Sequence, residues 1–313
     1  MSALKDLFNL IVFPGCLFLF VLAMAGEFID RRLYARFQNR LGPPWFQPIA
    51  DFIKLVAKEE TITEGADRPV FWMMPVLALT SVITAFFYIP LWGTQALFSF
   101  KGDVIVVLYL MTIPTLTYFL GGWYSRSVYS MIGAVRVLTQ LFAYEAPLFM
   151  SVLSPVLLSN TWSLSEVGEF YYQHPFYWMF NLLGFCVGLI ALIGKLEKVP
   201  FDTPEAETEI VAGSFTEYSG KSYAFFRLAF NVEMIVGASL LAAVFLPFWL
   251  HVPPIAGFFI YILKVLFIIA ILSTVRSVVA RLRIDQMINL CWKYFAPAAI
   301  LQVIIVIILK KVL

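Results

Sequence analysis

Eight apolar runs of about 20 residues, near 7–26, 70–91, 103–122, 136–159, 176–195, 223–249, 255–275 and 294–312, leave this chain few folds to choose from. A helix crosses a hydrocarbon core of about 30 Å with about 20 residues. In lipid every backbone polar group must be satisfied internally, so runs of this length are helices. Only 13% of the 313 residues are charged and 61% are hydrophobic, against about 25% charged in soluble domains. The expected fold is an all-α membrane protein of eight transmembrane helices. Pro114, Pro147 and Pro155 fall inside runs and are expected to kink the bundle. No linker or low-complexity tract divides the sequence, so a single membrane domain over 1–313 is expected.

Eight spans put both termini on one side and the loops 27–69, 123–135, 196–222 and 276–293 on the other. Those loops hold 14 Lys and Arg, whereas the opposite loops and tails hold four. The positive-inside rule makes the basic side cytoplasmic, which predicts a multi-pass plasma-membrane protein with both termini outside. The first run lacks an Ala-x-Ala-like cleavage site and Glu27 follows it directly, so it reads as a retained helix.

Composition narrows the chemistry. A net charge of +2 gives no reason to expect nucleic acid as a partner. The three cysteines, Cys16, Cys186 and Cys291, are far apart and form no metal-ligand spacing; His174 and His251 stand alone beside prolines. Neither paired-histidine haem ligation nor a four-thiolate cluster can be assembled from this set. The chain is therefore expected to bind no redox cofactor of its own.

Charge inside or beside the spans is the functional signal. Glu197, Asp202, Glu205, Glu207, Glu209 and Glu217 crowd one loop, EKVPFDTPEAETEIVAGSFTEYSG, on the otherwise basic side. Asp202-Thr203-Pro204-Glu205 resembles a helix start, with Thr203 as cap and Pro204 at the first position. Such a helix would set Glu205 and Glu209 on one face, four residues apart, where mutual repulsion suits a proton relay; a solvated acidic loop is the plainer alternative. Within the spans, Glu145 lies about 13 Å deep, Arg227 and Glu233 occupy the sixth run, and Lys264 the seventh. Intramembrane charges are costly and should face inward and pair. With Arg136, Gln140 and Tyr144 recurring every four residues, and Lys195 near the end of the fifth run, they predict a hydrated polar axis; isolated structural ion pairs are the alternative.

The first long loop, GEFIDRRLYARFQNRLGPPWFQPIADFIKLVAKEE, begins basic and ends in an amphipathic pattern over Ile49–Val56 with Asp51 and Lys54 interleaved. Basic stretches beside a membrane commonly contact headgroups. The turn Gly42-Pro43-Pro44-Trp45 is more ordered than that role requires and suggests a docking surface for a soluble partner.

This loop and the PFDTPEAETEIVAGSFTEYSG string resemble the two loop hallmarks of the complex I subunit 1 family, and Tyr144-Glu145 fits as well. The shortened turn GPPWFQP is more similar to the membrane-bound hydrogenase and sulfur-reductase branch. The resemblance implies a subunit without its own cofactor, set between antiporter-like membrane subunits and a peripheral redox arm. That arm would comprise an iron–sulfur small subunit and a hydrogenase-like large subunit, carrying 4Fe–4S clusters and a NiFe centre. It further implies that Asp202, Glu205, Glu207, Glu209 and Glu217 form a funnel from the redox cavity toward Glu145, and that Arg31, Arg32, Arg36 and Arg40, with Gly42, Pro43, Gln47, Asp51 and Lys54, meet the peripheral subunits. Two other readings stay open: a quinone-chamber subunit of an NADH or ferredoxin:quinone oxidoreductase, and a stand-alone ion transporter.

Overall fold

The computed structural model describes residues 2–93 and 95–312; the side chains of residues 2–6, 207, 208 and 312 fall outside that description. The elements are helices α1 (Ser2–Ile11), α2 (Cys16–Phe37), α3 (Gln47–Ala57), α4 (Arg68–Phe87), α5 (Asp103–Tyr124), α6 (Val128–Ser159), α7 (Leu164–Gln173), α8 (Leu182–Lys195), α9 (Glu207–Ile210), α10 (Gly220–Phe245), α11 (Pro254–Val278), α12 (Ile284–Leu290) and α13 (Ala296–Val312). Among the described residues, eight helical stretches are long and apolar enough to cross a membrane, and no strand is present. The chain is a multi-pass all-α membrane protein.

Helix boundaries reach past the apolar runs. The first span continues to Phe37, the fourth starts at Val128, and the last starts at Ile284, where a π-helical segment at Cys291–Phe295 joins α12 to α13. Hydropathy marks only the portion solvated by lipid, whereas intrahelical hydrogen bonds continue into the polar flanks. Arg31, Arg32 and Arg36 therefore project from a helix and not from a loop. Likewise, Glu145 lies mid-way along a 32-residue helix.

Helix α10 is the hub: 83% of its apolar window is buried, against 22% for the first and last spans. It packs on α2, α3, α4, α8 and α11, while α6 packs on α5, α8 and α13. The core joins Leu19 and Met24 of α2, Val82 and Phe86 of α4, Leu192 of α8, and Ile235 and Leu241 of α10. Pro75, Pro114, Pro147 and Pro155 all lie inside helices.

The acidic loop is fixed by close backbone contact. A Cβ on Gly133 of α6 would lie 2.4 Å from the Ser214 nitrogen and 2.5 Å from the Gly213 carbonyl carbon. Gly213 itself has φ +56° and presses against the Pro204 carbonyl. Side chains at either position would exclude the return of this loop onto the bundle.

Candidate functional site

Helix α8 ends at Lys195, and its last turn delivers a lysine into the protein interior. Lys195 and Glu233 of α10 are 1% and 0% exposed, with Nζ 2.9 Å from Oε1. Tyr118 of α5 donates its hydroxyl proton to the other oxygen of Glu233 at 3.3 Å. Lys195 also donates to the Met111 carbonyl, in a turn of α5 that Pro114 disrupts, and its ammonium lies 5.8 Å from the centre of the Tyr144 ring. Tyr144 shares a 2.9 Å hydrogen bond with Thr115. Glu145, half-buried on α6, is within electrostatic reach of the same ammonium. Two acids, one base and two tyrosines thus meet where α5, α6, α8 and α10 converge.

Gln140 of α6 sets the register of the chain leaving α8. Its amide donates to the carbonyls of Gly194 at 2.8 Å and Phe201 at 2.7 Å, and its oxygen accepts from the Thr203 hydroxyl at 2.6 Å. This overturns the expected helix start. With its hydroxyl engaged by Gln140, Thr203 does not cap; residues 202–206 are turns, and the helix that follows is the four-residue α9, flanked by Ala206. Glu205 and Glu209 consequently share no helical face. Glu205 faces Arg227 at 3.9 Å, whereas Glu209 pairs with Arg136 at 2.6 Å on the other side. The Glu207 side chain lies outside the described residues.

Between the loop and helices α2, α10 and α11 lies a cavity of about 300 Å³. Its wall carries Glu27, Asp30, Glu197, Asp202 and Glu205 opposite Arg31, Lys198, Arg227, Arg276 and Arg281. Asp30 accepts from Lys198 at 2.7 Å, Ser273 at 2.6 Å and Arg276 at 3.2 Å. Asp202 is held by two nitrogens of Arg281, and Glu27 by Arg31 and Asn231. Burial and the neighbouring Arg276 guanidinium draw the Lys198 ammonium below its ordinary value, against the pull of Asp30. Glu197 differs: it is 4% exposed, and neither carboxyl oxygen has a hydrogen-bond partner. Burial, with Glu205 and Glu233 nearby, pushes its carboxyl well above the usual range, opposed by Lys195.

Three predicted members of the axis lie elsewhere. Arg227 is on the second turn of α10 and lines the cavity; it is not deep in the span. Lys264 donates to the Phe248 carbonyl at 2.7 Å, in the loop at the far end of α10, so the peptide carbonyl, and not Glu233, compensates its burial. Glu217 accepts from Thr63 at 2.9 Å and ties the acidic loop to the segment before α4. Conversely, Glu27, Asp30, Lys198, Arg276 and Arg281 belong to the wall without standing out in the sequence as site residues. The signal that finds Glu27 and Asp30 is their three-residue spacing, which places them on one helical face once α2 is extended past residue 26.

In the first long loop, Arg31 pairs with Asp51 at 2.9 Å, and Gln47 donates to Asp51 at 2.8 Å. Helix α3 is thereby clamped to α2. The turn at Gly42 and Pro43 folds back so closely that a Cβ on Gly42 would lie 3.0 Å from the Arg32 Cα. Arg32, Arg36, Arg40 and Lys54 are exposed. A second cavity of about 410 Å³ under α3 shares Arg31, Glu205 and Arg227 with the first.

The family model of NADH dehydrogenase matches residues 9–307. The chain belongs to the NADH dehydrogenase family. Within it, the chain is 35% identical to a membrane subunit of the NADH-quinone oxidoreductase of Dehalococcoides mccartyi strain CBDB1, over 95% of this chain and 86% of that one. It is also 35% identical to the NADH-quinone oxidoreductase subunit 8 of Thermus thermophilus, over 87% of this chain and 78% of that one. The fold matches a chain of the membrane-bound sulfane sulfur reductase, an archaeal respiratory membrane complex, with a TM-score of 0.85, 24% identity, and coverage of 97% of this chain and 99% of that one. The expected family is thus borne out, and the protein is a membrane subunit of the kind found in respiratory oxidoreductase complexes. Among the described residues no group of three or more His, Cys, Asp or Glu side chains is placed to hold a metal ion.

Proposed function

We propose that this chain is the non-redox membrane subunit of an energy-converting complex, linking a peripheral iron–sulfur arm to antiporter-like subunits and coupling electron transfer to H⁺ or Na⁺ movement. The observation that carries this reading is the buried Lys195–Glu233 pair, joined through the end of α8 to a charged cavity beneath the basic loops. Electrons stay on the partner subunits in this account. A unit charge arriving about 10 Å from a buried carboxyl, at an effective dielectric of about 20, is worth about 1.7 kcal/mol. That exceeds one pKa unit and is enough to shift a proton between neighbouring acids.

Roles follow from placement. Asp202, Glu205, Glu209 and Arg227 bound the cavity side, with Arg136 holding Glu209; Glu145, Tyr144 and Glu233 form the membrane side. Arg32, Arg36, Arg40 and Lys54, with the turn at Gly42–Pro43, present the docking face, while Gln47, Asp51 and Arg31 fix it to the bundle. Both termini lie outside, as the 14-to-4 charge split favours. The hydrogen-evolving or sulfur-reducing branch is favoured by the GPPWFQP turn and by a cavity wall of ten charged residues, which suits an apolar quinone tail poorly.

The similarity to subunits of NADH-quinone oxidoreductases supports a second reading, in which the cavity under α3 admits a quinone headgroup. Purification of the complex with this chain tagged separates the two. Reduced ferredoxin should drive hydrogen or sulfide formation together with ion uptake into proteoliposomes. Inhibitor-sensitive quinone reduction would decide for the second reading, and ion transport by the isolated chain alone would overturn both.

A further inference from the structure

Glu197 occupies a backbone position suited to glycine and a side-chain environment suited to an apolar residue. Its N–H donates to the Gly194 carbonyl at 3.3 Å, and the Lys198 N–H donates to the Ile193 carbonyl at 3.4 Å. This crossed pair closes α8 in the motif whose penultimate member adopts the left-handed conformation, usually as glycine. Glu197 adopts it with φ +49°. Its carboxyl is nearly inaccessible, and both oxygens lack a hydrogen-bond donor, although the other acids of the cavity wall are paired with cations. A residue unfavourable in both respects is held for what it does, because strain of this kind persists where function requires it.

We propose that Glu197 is the proton-holding carboxyl that connects the charged cavity to the Lys195–Glu233 pair. This rests on the coupling role proposed above and adds to it the group that carries the proton. The charged and titratable groups facing it are Glu205 on the cavity side, Lys195 and Glu233 on the membrane side, and Tyr118 and Tyr144 across from α8. In the resting arrangement Lys195 neutralises Glu233, and Glu197 is a neutral acid. Transfer of its proton to the Glu233 carboxylate leaves Glu197 charged and frees the Lys195 ammonium to neutralise it in turn. One O–H bond breaks, one forms, and the local charge is unchanged. A proton from cavity water then restores Glu197.

The test uses the assembled complex in proteoliposomes, with E197Q, E197G and E233Q. In both Glu197 variants the number of ions moved per electron should fall by about tenfold or more, since loss of a proton-transfer group typically costs about 10²–10⁴-fold in rate. E197G should also raise the apparent melting temperature, since glycine suits the backbone and removes the buried carboxyl. An unchanged ratio in E197Q and E197G alongside a reduced ratio in E233Q would overturn the role of Glu197 and leave the coupling reading standing. Unchanged ratios in all three would overturn both. Labelling of the wild-type complex with a hydrophobic carbodiimide, mapped by mass spectrometry, gives a result that does not depend on variants. Modification at Glu197 ahead of Glu27, Asp202 and Glu205 supports a protonated acid there, and modification of those paired acids with Glu197 untouched overturns it.

Discussion

At the scale of single residues, Lys195 and Glu233 show how much a buried charge depends on its partner. With exposures of 1% and 0%, neither can be solvated when the other is removed. Truncating one member of such a pair costs about 3–5 kcal/mol, whereas replacing both by apolar groups of similar size can be neutral or stabilising. K195M and E233L should therefore each lower the apparent melting temperature more than the double variant does, and thermal unfolding of the three in detergent checks this. Additive losses would show that the two groups do not compensate each other. Glu197 gives a pH signature of its own. Its folded-state carboxyl is held above the unfolded value of about 4.3. As pH rises past that value the unfolded chain loses this proton first, so the folded state binds more protons and loses stability until its own raised pKa is passed. E197Q lacks this slope. The melting-temperature advantage of E197Q over wild type should grow between about pH 5 and about pH 8 and then level off; a constant difference would contradict the raised carboxyl. Both residues were visible in the sequence as charges at or within apolar runs, but their partnership was not. Which charge meets which depends on helix rotation and depth, and those are set by packing.

At the scale of elements, the acidic loop is specified from a distance. The eight spans were legible because about 20 apolar residues admit few alternatives. The conformation of 202–216 was not legible, because local signals and tertiary contacts disagree. Thr203 and Pro204 signal a helix start, yet Gln140 engages the Thr203 hydroxyl and Gly133 receives the backbone at 213–214. Adding a methyl group at residue 133 forces that backbone away, and overpacking of this kind costs about 1–3 kcal/mol. G133A should expose the 204–216 segment to limited proteolysis at a markedly faster rate than wild type; equal rates would mean that the contact does not hold the loop. The Arg136–Glu209 pair is a contrast. Its side chains are 25% and 59% exposed, and exposed pairs contribute about 0–1 kcal/mol. A double-mutant cycle on thermal stability should give a coupling within that range, so a large loss of ion coupling in E209Q would be functional and not a consequence of unfolding.

At the scale of the whole molecule, charge is sorted by position. The side with the long loops carries the basic docking face and a cavity whose acids and bases almost all pair, while the far side carries Lys264 turned to a backbone carbonyl. Between them stands the hub helix α10, with Arg227 toward the cavity and Glu233 at mid-depth. The arrangement lets a charge change at the peripheral arm reach the membrane interior without any cofactor on this chain. Cysteine-labelling of intact cells should report positions near Lys101 and the carboxyl terminus as external and positions near Lys58 and Arg126 as internal, and the reverse pattern would invert the topology. The central claim is that the Lys195–Glu233 pair couples ion movement to electron transfer, and the ratio of ions moved to electrons transferred by the E233Q complex in proteoliposomes tests it most directly. The account predicts a ratio well below wild type in a complex that still assembles and transfers electrons; a wild-type ratio in that intact complex would contradict it.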